Sequence, residues 1–242
     1  MNPFFSIIIP AYNEENRLPS TLEQVVHFLE KQPFTSEIIV VENGSGDQTF
    51  EIAQQFAVGH PNVHVLRSEQ RGKGLAIQHG VQAAVGEYIF LCDADLSMPV
   101  EEISKFIPPK LENVDIAIAS REARDSVRYN EPYYRHFTGR VFNTLIRLLV
   151  LPRLQDTQCG FKCIRAEVAR DIFPYQTLTG WAFDVELLYI ARHHGYHVAE
   201  IPIHWYFNAD SKISVFRDSL RMFLDLLRIR RNARRGLYDP KP

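Results

Sequence analysis

Along the first half of the chain, short unbroken apolar runs take turns with longer stretches whose apolar residues recur every three or four positions. Phe5-Ser6-Ile7-Ile8-Ile9 is β-branched and apolar almost throughout, as a strand covered on both faces requires, and Pro10 ends it. Leu18, Leu22, Val25, Val26 and Leu29 follow at helical spacing. Glu37–Val41, Val63–Leu66, Tyr88–Cys92 and Asp115–Ala119 read as further buried strands, with helices around Leu75–Ala84 and Glu101–Phe106. Strands alternating with amphipathic helices imply an α/β domain, a mostly parallel sheet with helices on both faces.

The second half is patterned differently. Val141–Leu151 is apolar over more than half its surface, with Arg140, Arg147 and Arg153 at its edges. Trp181–His193 is helical, and His197–Phe207 reads as a strand interrupted by Pro202. Ser214–Asn232 closes the chain as a basic amphipathic helix. With no repeat and no low-complexity linker, the expected organisation is one domain over 1–211 and a basic C-terminal helix and tail over 212–242.

Composition narrows the class. An apolar fraction of 45% and a charged fraction of 23% over 242 residues fit a soluble globular protein. The net charge of -2 argues against a general nucleic-acid binder, yet Lys212–Arg235 carries eight basic residues against two acidic ones, a surplus of six. Cys92, Cys159 and Cys163 lack the paired spacing of a zinc site and are expected to be reduced thiols in a cytoplasmic protein. No leader is expected at the N-terminus, and no apolar run approaches the roughly 20 residues that span a bilayer.

In open parallel sheets, ligands bind beyond the carboxyl ends of the strands. There stand Pro10, Tyr12 and Glu14 after the first strand, and Glu42, Asn43 and Asp47 after the second. Asp93, Ala94 and Asp95 follow the fourth, and Ser120 and Arg121 the fifth. Two carboxylates one residue apart at a buried strand end call for a cation, and Mg²⁺ or Mn²⁺ bridges such groups to substrate phosphates. The bland alternative is a pair of turn-forming aspartates ahead of a helix capped by Asp95 or Ser97. Gly44-Ser45-Gly46-Asp47-Gln48-Thr49 nearly matches a dinucleotide fingerprint, with Glu69 in reach of a ribose; it fails at Thr49, where the third glycine belongs. Arg71-Gly72-Lys73-Gly74 ahead of a helix suits a diphosphate, or is simply an exposed basic loop.

Together these stretches resemble family 2 inverting glycosyltransferases of the GT-A (Rossmann-like) fold. The matching segments are Ser6–Glu15, Val40–Ser45, Arg71–Gly74 and Asp93–Ser97. Asp156-Thr157-Gln158-Cys159-Gly160-Phe161-Lys162, Trp181–Leu188 and Arg217–Met222 continue them and resemble the polyprenyl-phosphate sugar synthases, the dolichyl-phosphate glucose synthases most. Glu42-Asn43 departs from the two aspartates usual in the family.

The resemblance implies that Pro10, Tyr12, Glu14, Glu42 and Asp47 line a base and ribose pocket with Lys73 nearby. It makes Asp93 and Ala94 donor contacts, and Asp95, with Asp93, the holder of Mg²⁺ or Mn²⁺; Ser97 replaces a glutamine of mannose-type relatives. Arg121 with Arg128, Arg135 and Arg140 would take an acceptor phosphate, and Asp156 would stand near the anomeric centre as base or positioner. Asp184 and Glu186 sit two apart on a helix, facing different ways, with a cap or an ion pair as their bland reading. The implied reaction moves a hexose, glucose favoured, from a nucleotide-sugar (UDP-glucose, or alternatively GDP-mannose) to a polyprenyl phosphate with inversion. A non-lipid glycan acceptor, a non-catalytic nucleotide-sugar sensor and a nicotinamide-binding protein are the competing readings. Phe216, Leu220, Phe223, Leu224 and Leu227 form one stripe of the last helix, suited either to the cytoplasmic face of an anionic membrane or to packing on the domain.

Overall fold

A computed structural model describes residues 2–107, 111, 113–208 and 215–240, with the backbone alone for 215–219. The expected domain boundary at 211/212 and Lys212 lie outside the described residues, as do the side chains of Phe216 and Arg217. The chain forms β1 (Phe5–Ala11), α1 (Leu18–Glu30), β2 (Ser36–Asn43), α2 (Thr49–Gly59), β3 (Val63–Ser68), α3 (Lys73–Ala83) and β4 (Tyr88–Leu91) in strict alternation. After a 3₁₀ turn over Val100–Phe106 come β5 (Ile116–Ser120), β6 (Val127–Tyr129), α4 (Tyr133–Leu149), β7 (Lys162–Arg165) and α5 (Ala166–Ile172). A short 3₁₀ turn, Phe173–Tyr175, leads to α6 (Phe183–His193), β8 (Val198–Pro202), β9 (His204–Tyr206) and α7 (Val215–Arg234).

Among the described residues, seven strands form one sheet in the order β3-β2-β1-β4-β7-β5-β8, while β6 and β9 pair in parallel beside it. β1 shows why its sequence is apolar throughout. Phe5, Ile7, Ile9 and Ala11 face a layer containing α1 and the first 3₁₀ turn, and Ile8 faces the opposite layer with α3 and α6. Each isoleucine so buried contributes about 2 kcal/mol, which makes this strand the spine of both cores.

β7 is the strand the pattern does not announce. It runs antiparallel between β4 and β5, pairing Phe90 with Cys163 and Ile118 with Lys162. Lys and Arg at the ends of four residues leave no apolar run to see; the strand exists because β4 and β5 would otherwise lack partners for their backbone groups. Lys162 tolerates burial through an ion pair with Asp184 at 2.8 Å and a hydrogen bond from its Nζ to the Cys159 carbonyl at 2.6 Å. The helix expected over Val141–Leu151 starts earlier, at Tyr133, and the one around Glu101–Phe106 is 3₁₀. Pro202 ends β8, after which the chain crosses to the smaller sheet as β9. Among the described residues no helix is long and apolar enough to cross a membrane.

Candidate active site

The carboxyl ends of β1, β2, β4 and β5 open into a cleft of about 690 Å³, closed on its far sides by α4 and α7. At its floor, Asp93 and Asp95 leave β4. Lys73, the first residue of α3, forms an ion pair with Asp93 at 2.6 Å, and its Nζ lies 5.4 Å from the Trp181 ring. Burial works against a charged lysine, but the adjoining Asp93 carboxylate outweighs it and holds Lys73 protonated more firmly than usual. Burial, with the Asp93 charge added to it, pushes the Asp95 carboxyl up, although Asp95 Oδ1 accepts a hydrogen bond from the Ser97 amide at 3.0 Å. A side chain at Gly160 would collide with Asp93 Oδ2, so this glycine is the space in which Asp93 sits.

Tyr12 stands at the end of β1 with the Arg71 guanidinium 4.2 Å over its ring. Pro10, Glu14 and Ala94 also face the cleft. Glu42 and Asp47, expected beside them, lie behind this wall as struts of the 42–49 loop. Buried Glu42 accepts a short hydrogen bond from the Ser45 amide and lies 3.5 Å from Arg67. Asp47 receives Thr49 Oγ1 at 2.5 Å and the amides of Thr49 at 3.1 Å and Glu15 at 3.2 Å. Burial alone would raise the Asp47 carboxyl; these hydrogen bonds bring it below its ordinary value. Asn43, not Glu42, reaches the cleft, and its Oδ1 accepts the Gly72 amide at 3.1 Å.

The opposite wall is cationic. Arg121 follows β5 and lies in the cleft 5.4 Å from the Trp205 ring. Asp156 was expected near the anomeric centre; its side chain is fully buried behind Arg121 and does not reach the cleft. Its oxygens receive Arg121 Nε at 2.7 Å, Nη2 at 2.9 Å and the Arg121 amide at 3.0 Å. Burial would raise this carboxyl, but the guanidinium overrides it and holds Asp156 below the usual range. Arg128 is clamped by Glu122 at 2.5 Å and Glu131 at 2.7 Å, and Arg135 lies over Phe207; both face the cleft. Arg140 is exposed on α4 and is not part of the cleft wall.

Trp181, Trp205 and Asp225 line the cleft and were missed as site residues, since each lies in a segment whose pattern speaks only of helix or strand. Arg221 joins them from α7, the helix whose sequence left a membrane surface and packing on the domain both open. Asp184 faces the cleft with its ion pair to Lys162 behind it, whereas Glu186 is wholly buried and accepts the amides of Thr177 and Leu178 in the preceding loop, with no capping bond to its own helix. No group of three or more histidine, cysteine, aspartate or glutamate side chains placed to hold a metal occurs among the described residues. Asp93 and Asp95 nevertheless fit a hard divalent ion. Both present oxygen to the cleft, Asp95 is raised by burial and then by its like-charged neighbour, and ions of this class complete their shell with water and phosphate oxygens.

The glycosyl transferase family 2 profile matches residues 6–173. The chain is 36% identical over 252 residues to a dolichyl-phosphate beta-glucosyltransferase of Mus musculus, spanning 98% of this chain and 78% of that protein. It is 33% identical over 254 residues to its Dictyostelium discoideum namesake, with 99% and 78% covered. Among solved structures, mannosyl-3-phosphoglycerate synthase from Rubrobacter xylanophilus superposes with a TM-score of 0.70 at 18% identity, over 97% of this chain and 75% of that one. Glucosyl-3-phosphoglycerate synthase from Mycobacterium tuberculosis, crystallised with Mn²⁺, UDP-glucose and phosphoglyceric acid, gives 0.66 at 19%, over 97% and 80%. These two structures bear on the fold. The profile match takes in the carboxylate pair, Arg121 and every strand of the large sheet except β8, and the chain belongs to glycosyl transferase family 2.

Proposed function

We propose that this chain transfers glucose from UDP-glucose to a polyprenyl phosphate of the dolichyl type, inverting the anomeric centre, with Mg²⁺ or Mn²⁺ as its ion. The observation that carries the reading is one cleft with a carboxylate pair and Lys73 on one wall and Arg121, Arg128, Arg135 and Arg221 on the other. The names of the relatives, both dolichyl-phosphate beta-glucosyltransferases, point to the same donor sugar and acceptor.

Each wall has a task. Asp93 and Asp95 would hold the divalent ion, which supplies positive charge to the leaving diphosphate. Lys73 lies beside them, and Arg71 over Tyr12 offers a cation and a ring to the nucleotide. Charge develops on the leaving group as the sugar becomes oxocarbenium-like, so fixed cations there lower the barrier. A phosphate acceptor is already anionic and needs no strong base. It needs its repulsion from the donor offset, which Arg121 is suited to do because Asp156 fixes its guanidinium.

The surface around the cleft supports a lipid acceptor. Tyr133, Tyr134, Phe137 and Leu148 of α4 and Leu220, Leu224 and Leu227 of α7 are exposed, while α7 packs inward through Leu226 and Ile229. Of the stripe anticipated on the last helix, Leu220, Leu224 and Leu227 are therefore open, next to arginines, while Phe223 is half-buried. That composition suits peripheral attachment to an anionic membrane on the cytoplasmic side. Purified protein with Mn²⁺ or Mg²⁺, UDP-glucose and a polyprenyl phosphate should form lipid-linked glucose, and Asp95→Ala should abolish this while the circular dichroism spectrum is retained. GDP-mannose, or a non-lipid glycan acceptor, working where this pair fails would replace the reading.

A further inference from the structure

We infer that Glu186, Asn232 and Tyr238 form a buried clasp by which the C-terminal segment positions the Trp181–Lys73 corner of the cleft. The inference rests on the reading that this corner receives the donor diphosphate. None of the three residues touches the cleft.

The loop between Tyr175 and α6 has two sides. On the cleft side it presents Thr179, Gly180 and Trp181. The Thr179 carbonyl accepts the amides of Gly74 at 2.9 Å and Leu75 at 3.4 Å, so the loop is tied to the turn that carries Lys73. Gly72 adopts φ +155°, and a Cβ there would lie 2.5 Å from the Thr179 carbonyl oxygen; the two segments touch with no room for a side chain. Lys73 in turn holds Asp93. A shift of this loop would therefore move the cation beside the carboxylate pair.

On its other side the loop rests on Glu186, which is 0% exposed and receives four hydrogen bonds. They come from the Thr177 amide at 2.9 Å, Thr177 Oγ1 at 2.6 Å, the Leu178 amide at 2.7 Å and Tyr238 Oη at 2.6 Å. Asn232, in the last turn of α7, donates to Thr177 Oγ1 and to Tyr238 Oη, each at 3.1 Å. Beyond α7 the chain turns at Gly236, φ +70°, and drives the wholly buried Tyr238 under the loop, where His194 Nε2 donates to its carbonyl at 2.9 Å. Burial, followed by the hydrogen bond to Glu186, raises the phenol so that it stays a donor. A carboxylate with four donors in an apolar surrounding tolerates little displacement, because losing one leaves a buried charge short of a partner. The same α7 puts Arg221 and Asp225 on the cleft wall, so one element touches the cleft directly and secures its opposite corner from beneath.

Tyr238→Phe removes one hydroxyl and keeps the ring; Thr177→Val removes the hydroxyl shared by Glu186 and Asn232 from the loop side. Each should raise the KM for UDP-glucose at least fivefold while kcat falls less than twofold. In ligand-free protein each should also speed hydrogen exchange in the segment 73–76. Ile38→Val, a core truncation at the start of β2 away from the cleft, controls for lost stability and should leave both readouts at their original values. Unchanged exchange in both variants, or faster exchange with an unchanged KM, overturns the clasp. Wild-type protein that binds no UDP-glucose overturns the donor reading instead, while the ligand-free exchange comparison still decides whether the clasp holds the loop.

Discussion

Asp156 and Arg121 make the sharpest case at the scale of single residues. The resemblance gives Asp156, in the loop between α4 and β7, a place near the anomeric centre, yet this carboxylate is buried, with its oxygens turned to one guanidinium and to the amides of Arg121 and Gln158. Asp156→Asn would leave Arg121 without its counter-charge and should cost about 3 kcal/mol of stability at neutral pH, the usual scale for breaking a buried pair. The sign of its pH dependence follows from the lowered carboxyl. The pair stabilises the fold fully above about pH 4, the ordinary aspartate value, and that contribution is lost as pH falls toward the folded-state value. Urea titrations between pH 7 and pH 3 should therefore show the gap between wild type and Asp156→Asn closing in acid. A gap that stays constant would mean the charge is not what matters. Asp93, Asp95 and Arg121 could be singled out in the sequence because each directly follows an apolar strand. That Arg121 faces the cleft and Asp156 stands behind it could not, since the order of two side chains in depth leaves no trace in a pattern.

At the scale of elements, β1 to β4 with α1 and α3 are legible because each buries a face whose apolar residues are written in the chain, whereas α2, which buries only Thr49 and Ala53, escapes the pattern. β7 is not legible either, since its stability comes from the edges of β4 and β5 and from an ion pair with a helix 22 residues further on. α7 lies between these cases. Its helical period is plain, but Leu220 and Leu224 are 58% and 57% exposed while Leu226 and Ile229 are buried, so the face that packs is not the stripe that attracts notice. Each leucine placed in a membrane interface contributes on the order of 1 kcal/mol. Leu220→Ser with Leu224→Ser should then lower co-sedimentation with anionic vesicles roughly tenfold, a loss of about 1.4 kcal/mol or more, with the melting temperature unchanged. Equal vesicle binding by wild type and the double variant would remove α7 from the membrane surface.

For the whole molecule, the cleft gathers residues from Pro10 to Asp225, nearly the full length of the chain. A ligand that fills it should therefore stabilise the entire fold. At a hundredfold excess over its Kd, UDP with Mn²⁺ should add about 2.7 kcal/mol, or roughly 5–10 °C in melting temperature for a chain of this length. Mn²⁺ alone should give much less, because two carboxylates provide only part of its shell. Differential scanning calorimetry of wild type and Asp95→Ala separates the cases: the Mn²⁺-dependent part of the shift should vanish in the variant, and its survival there would reject Asp95 as a ligand.

Periodicity and strand-end polarity are local properties, so the sequence by itself determined most of the alternating α/β half, the sheet edge at which the cleft opens, and Asp93, Asp95, Lys73 and Arg121 as charged groups there. The tertiary structure decided what depends on distance between remote segments. It put Glu42 and Asp47 behind the wall and Asn43 on it, set Asp156 under Arg121, and inserted β7 between β4 and β5. It also turned the C-terminal tail inward, so that Tyr238 meets Glu186 across 52 residues of chain. The reason is one of range. A hydrophobic period records which face is buried, whereas the partner of a buried charge is fixed only when packing brings the two together.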